Sequence, residues 1–155
     1  MDFNKRIINI INNGKAVSRE TDRILRQKLE KNGFIASEEF DPRGELIICI
    51  GGDGSFLRTL HKLNFPDIPI IGINTGHLGF FQDLSPHELD EFIFKYNKGK
   101  YRIDTIPIAE GIICTRNSCI EIVAINEIVV KGYKSTTVHL NLSLQDSFLQ
   151  KFSGD

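Results

Sequence analysis

The sequence predicts an α/β fold: an open parallel sheet with flanking helices and a glycine-rich phosphate loop, followed by an incomplete antiparallel β domain. Three observations carry this. Apolar runs of strand length alternate with helical spacings up to about residue 99, the run Leu46-Ile47-Ile48-Cys49-Ile50 passes directly into Gly51-Gly52-Asp53-Gly54-Ser55, and after Tyr101 the helical period gives way to β-rich segments. Alternation of this kind implies a parallel sheet covered by helices. The domains are drawn at 1–99 and 100–155, with the boundary falling in Asn97 to Tyr101.

The elements follow in order. Arg6 to Ile11 is a first strand, Ser18 to Lys31 a helix, and Leu46 to Ile50 a strand whose apolar run implies burial. Phe56, Leu57 and Leu60 open a second helix just past the glycines, and Ile68 to Ile73 is the next strand. A further helix starts at Ser85 as N-cap, with Pro86 at the first helical position and Glu88 completing a capping box, and stops around Asn97 to Gly99. Beyond Tyr101, Ile106 to Thr115, Cys119 to Lys131 and Thr136 to Leu144 read as strands separated by turns at Arg116-Asn117-Ser118 and Lys131-Gly132-Tyr133.

Gly51 to Ser55 is the most informative stretch. Glycines at a strand-to-helix turn let backbone N–H groups approach a ligand closely, and the helix N-terminus adds partial positive charge, so the turn suits a phosphate. A carboxylate in that cradle repels phosphate, so Asp53 needs its own reason, which general base catalysis or metal binding would supply. The alternative is a plain tight turn whose Asp53 caps the next helix. The loop lacks the third glycine of the dinucleotide fingerprint and a Walker A lysine.

A second glycine turn, Asn74-Thr75-Gly76-His77-Leu78-Gly79-Phe80-Phe81, follows the next strand. Ligands of open α/β sheets collect outside the carboxyl ends of the strands, so both turns are expected to face one pocket. Asn74 offers an amide, and Phe80 and Phe81 offer rings for a base or ribose, although either ring could instead anchor the loop. Asn126-Glu127 interrupts an otherwise apolar segment. Buried without partners the pair would be costly, which leaves a solvent-facing bulge or ligand contacts. His61, His77, His87 and His139 show no metal-ligand spacing; His77 alone lies in a glycine turn.

Gly51 to Ser55, Asn74 to Phe80 and Asn126-Glu127, in this order and spacing, resemble the motif series of NAD kinases. Those enzymes phosphorylate the 2′-hydroxyl of the adenosine ribose of NAD. The first motif is shared with diacylglycerol and sphingosine kinases and with phosphofructokinases; the second and third point to the NAD kinase branch. A lipid or sugar kinase, or a non-catalytic nucleotide-binding module, are the competing readings. The resemblance implies Asp53 as the base that takes the hydroxyl proton, and Gly52, Gly54 and Ser55 as the cradle of the donor phosphates. Arg58 would meet a phosphate or pair at the surface. Asn74, Phe80, Asn126 and Glu127 would contact the nucleotides. The donor is ATP or polyphosphate, and Mg2+ or another divalent metal is expected to travel on the phosphates, with no protein metal ligand assigned.

The family continues past the residues seen here into a Ser/Thr/Gly-rich segment whose start Asp155 matches. The chain is therefore expected to be an inactive fragment of a longer kinase, or else a shortened relative. The full-length enzyme is expected to be a homo-oligomer acting on small-molecule nucleotides in the cytoplasm. A formal net charge of -1 over 155 residues gives no reason to expect nucleic acid or an anionic membrane as partner. Cys49, Cys114 and Cys119 lie in apolar stretches without a Cys-x-x-Cys pair and read as buried reduced thiols of a reducing compartment. The first residues do not form a secretory signal, and no run reaches membrane-spanning length.

Overall fold

Strands β1 (Ile7–Asn12), β2 (Ile35–Ser37), β3 (Leu46–Gly51) and β4 (Ile70–Asn74) of the computed structural model form one parallel sheet in the order β2-β1-β3-β4. The structure describes residues 6–76 and 79–154. They divide into two compact units, Met1–Asp104 and Thr105–Asp155.

In the first unit β3 is buried at every position, as its unbroken apolar run requires of a central strand covered on both faces. Helix α1 (Ala16–Lys31) buries Ser18, Thr21, Asp22, Leu25 and Leu29, one stripe at helical spacing. Leu25 and Leu29 of that stripe and Leu89, Ile93 and Tyr96 of α3 (Leu89–Asn97) share a core with Ile8, Ile10, Leu46, Ile48, Ile50 and Ile73 of the sheet. Helix α2 (Asp53–Lys62) takes the alternate positions, with the Cys49 thiol 3.5 Å from the Thr59 hydroxyl.

Helix α1 ends in a Schellman motif: Phe34 N–H donates to Leu29 O, Gly33 N–H to Glu30 O, and Gly33 takes φ +85. The turn leads into β2, which the sequence reading missed because three residues are too short to show a period. Ser85 and Glu88 do form the capping box, but Pro86–Glu88 is a 3-10 turn, and the α-helix proper begins at Leu89. Arg6 closes the other end of the sheet. Its guanidinium donates to Glu45 at 2.9 Å and to Asn97 at 3.3 Å, and lies 4.7 and 5.0 Å from the ring centres of Phe34 and Tyr96. Tyr96 donates its hydroxyl to the same Glu45 oxygen at 2.7 Å.

The second unit is two antiparallel hairpins, β5 (Ala109–Cys114) with β6 (Cys119–Ala124), and β7 (Val138–Leu144) with β8 (Ser147–Gly154). The segment expected as a strand over Cys119 to Lys131 stops at Ala124, where the chain bends. Strand β8 was not foreseen. Its turn uses Gln145 and Asp146 at φ +49 and +63, a two-residue hairpin geometry that usually announces itself with Asn-Gly or Asp-Gly.

The cysteine expectation holds for Cys49, which is buried and free. It fails for Cys114 and Cys119, which are exposed and joined by a disulfide. They face each other across the last pair of the β5–β6 ladder with Cα atoms 4.1 Å apart, so a spacing read as unrelated thiols is set by a four-residue turn. The cysteines therefore no longer argue for a reducing compartment. Among the described residues no helix is long and apolar enough to cross a membrane.

Candidate active site at the carboxyl ends of the parallel strands

The loops leaving β1, β3 and β4 are bonded to one another. Asn13 N–H donates to Ile50 O at 3.2 Å and Thr75 N–H to Gly51 O at 3.0 Å. The hydroxyls of Ser18 and Thr75 lie 2.7 Å apart. Strand β1 leads to β2 on one side while β3 lies on the other, so the crevice outside β1 and β3 is the switch point at which such sheets bind ligands.

Gly51 must be glycine for internal reasons, since a Cβ there would meet the Ser55 hydroxyl at 2.5 Å. Gly52 is different. A Cβ on it would meet no described atom within 4 Å, so packing does not explain this glycine, whereas close approach of a ligand to its backbone would. Gly52 is the N-cap of α2 and accepts from Ser55 N–H at 2.8 Å and Phe56 N–H at 3.1 Å. The N–H groups of Gly52, Asp53 and Gly54 come before the first of these bonds and lie at the positive end of the helix dipole.

Asp53 is the first residue of α2, one position past the N-cap Gly52, and among the described residues its carboxylate accepts its hydrogen bonds from outside that helix. Its carboxylate is spent across the crevice: Phe80 N–H donates to Oδ2 at 2.8 Å and Phe81 N–H to Oδ1 at 3.0 Å. The two glycine turns thus meet at this one side chain. Arg58, exposed one turn further on, lies along Gly54 with its guanidinium 3.4 Å from the Ser55 hydroxyl, and has no ion pair among the described residues.

Asn74 ends β4 opposite Gly51, and its side-chain oxygen accepts from Gly76 N–H at 2.8 Å. The two phenylalanines divide the options: Phe81 stacks on Phe56 of α2 at 5.2 Å and 10°, whereas Phe80 is 96% exposed. Gly52, Asp53, Gly54, Ser55, Arg58, Asn74 and Phe80 are therefore gathered within the first unit. Asn126 and Glu127 belong to the second, exposed in the bend after β6. Asp155 and His77 lie outside the described residues.

Sequence reasoning missed Asn13, Ser18 and Thr75, whose hydrogen bonds join the loops; only the sheet order brings them together. Among the described residues no three carboxylate, histidine or cysteine side chains cluster as a metal centre. A hollow between β4 and α3, at Ile71, Leu84, Phe92 and Tyr96, contains none of the glycine-turn residues.

Fold and loops together define an α/β domain with a glycine turn opening a helix beside an anchored carboxylate. Residues 11–101 match the model of the ATP-NAD kinase N-terminal domain, and the chain belongs to the NAD kinase family. It is 42% identical to the NAD kinase of Finegoldia magna over 157 residues, covering 100% of this chain and 58% of that protein. It is 35% identical to the NAD kinase of Porphyromonas gingivalis over 112 residues, covering 72% of this chain and 38% of that protein. A crystal structure of yeast NADH kinase complexed with NADH shares the fold, with a TM-score of 0.76 at 15% identity over 95% of this chain and 55% of that one. The matched regions thus span between 38% and 58% of the length of these relatives.

Proposed function

We propose that the protein is an NAD kinase, transferring a phosphoryl group from ATP or polyphosphate to the 2′-hydroxyl of the adenosine ribose of NAD to give NADP. The observation that carries this is the Asp53 carboxylate, held where two glycine turns meet at the start of a helix. A carboxylate has about four acceptor positions. Two are used by the N–H groups of Phe80 and Phe81, and the others remain to receive a hydroxyl proton.

In the proposed reaction the ribose 2′-oxygen forms its bond to the terminal phosphorus as the bond from that phosphorus to the bridging oxygen breaks. ADP, or polyphosphate shortened by one unit, leaves, and the hydroxyl proton passes to Asp53. Gly52, Gly54 and Ser55 hold the donor phosphates through backbone N–H groups and a hydroxyl, and Arg58 supplies positive charge beside them. Phe80 offers an exposed ring to a base, Asn74 orders the turn that carries it, and Asn126 and Glu127 contribute polar contacts to NAD. A divalent ion enters this reading on the donor phosphates, with no protein ligand and no step assigned to it. Homo-oligomeric assembly and a cytoplasmic setting complete the reading. Family membership speaks against the lipid or sugar kinase alternatives.

The test is Asp53→Asn in the whole protein, assayed with NAD, ATP and Mg2+. Turnover should fall on the order of a hundred- to ten-thousandfold, the usual range for a general base. NAD binding, measured by calorimetry in the same variant, should change little. Near-normal turnover would remove the base assignment.

A further inference from the structure

We propose that Gly79 and Phe81 are positioning residues for Asp53, forming a backbone clamp that fixes the carboxylate for proton transfer. This rests on the reading of Asp53 as the base. The N–H groups of Phe80 and Phe81 take one carboxylate oxygen each, which fixes both the position and the rotation of the group. That approach is possible only because residue 79 has no side chain. A Cβ on Gly79 would lie 2.6 Å from Asp53 Cγ and 2.8 Å from Oδ2, and would overlap Oδ1.

The clamp is itself held on two sides. The Phe81 ring stacks on Phe56, which is 5% exposed and belongs to the same helix as Asp53. The segment after it is strapped to β4: Asp83 and Leu84 N–H both donate to Gly72 O at 3.1 Å, and a Cβ on Gly72 would overlap Phe81 O. Base, ring and strap are thus referenced to one rigid helix and one strand. A misplacement of about 1 Å at such a group can cost about a hundredfold in rate.

Three measurements on the whole protein test this. Gly79→Ala should lower kcat about tenfold to a hundredfold with KM for NAD within about threefold, since the lost geometry acts on proton transfer and not on substrate binding. Phe81→Leu, which keeps an apolar side chain but not the stack, should lower kcat by a smaller factor, and decides the matter if Gly79→Ala does not fold. Amide exchange gives a readout without catalysis: Phe80 and Phe81 N–H should be protected, and Asp53→Ala should speed their exchange at least about tenfold.

If Asp53→Asn abolishes turnover while Gly79→Ala and Phe81→Leu keep the native kcat, the positioning proposal falls and the base reading stands. If Asp53→Asn turns over normally, the base reading falls, and the positioning role falls with it whatever the exchange data show. Exchange at Phe80 and Phe81 that is indifferent to residue 53 overturns the clamp itself.

Discussion

Asp53 places a carboxylate beside a helix N-terminus in a loop shaped for phosphate, and the backbone N–H groups of Phe80 and Phe81, 27 and 28 residues further on, take one oxygen each. Backbone donors carry no residue signature, so only the fold brings them to it. The cysteines teach the same lesson. Cys49 sits in an apolar strand, where burial pushes its thiol up despite the Thr59 hydroxyl, whereas Cys114 and Cys119 sit in strands that face solvent. After reduction, two thiols should react quickly with an aromatic disulfide reagent and the third only as fast as the first unit unfolds; three equally fast thiols would contradict the burial of Cys49. Tyr96 gives a pH signature. Burial, reinforced by its hydrogen bond to Glu45, raises its pKa well above the ordinary tyrosine value of about 10. The folded state therefore holds this proton more tightly, so the contribution is full below about pH 10 and is lost as pH rises toward the folded value. In an absorbance titration Tyr96 should stay un-ionised beyond pH 10 until the protein unfolds.

Elements with a strong local signal were read to within a few residues: β1, β3, α1 and the Ser85 capping box all carry their own periodicity or cap. Those that failed carry no such local signal. Strand β2 exists because it pairs with β1, and β8 because an unusual turn folds it onto β7. The capping box is a fair test of what local chemistry contributes. Glu88 accepts from Ser85 N–H at 2.8 Å while the Ser85 side chain accepts from the Glu88 N–H. Ser85→Ala should cost about 1 kcal/mol of stability, read as a lower urea midpoint at unchanged slope. No change would mean that packing of Leu89, Ile93 and Tyr96 alone sets the start of α3.

At the scale of the whole molecule the two units differ in kind. The first buries a continuous core between helices and sheet, whereas the second consists of two two-stranded hairpins, an arrangement marginal in water without a packed face. Ile112, Ile120, Leu144 and Phe148 are exposed there. Hydrogen exchange should therefore be slowest in β3 and its neighbours and faster by orders of magnitude in β5 to β8. Equal protection of both units would show that the hairpins gain support this chain's own contacts do not reveal. Isolated, the 155-residue chain should self-associate with rising concentration, a behaviour sedimentation would detect.

The Arg6 junction has a consequence for biogenesis. Its donors reach Glu45 and Asn97, and Tyr96 closes the ring by bonding to the same glutamate. A nascent chain emerging from the ribosome amino end first can assemble β1, α1 and β3 early, but this junction stays open until residue 97 has left the exit tunnel. The first unit should consequently become resistant to protease on stalled ribosomes in one late step, set by the arrival of α3 and not by the synthesis of its strands.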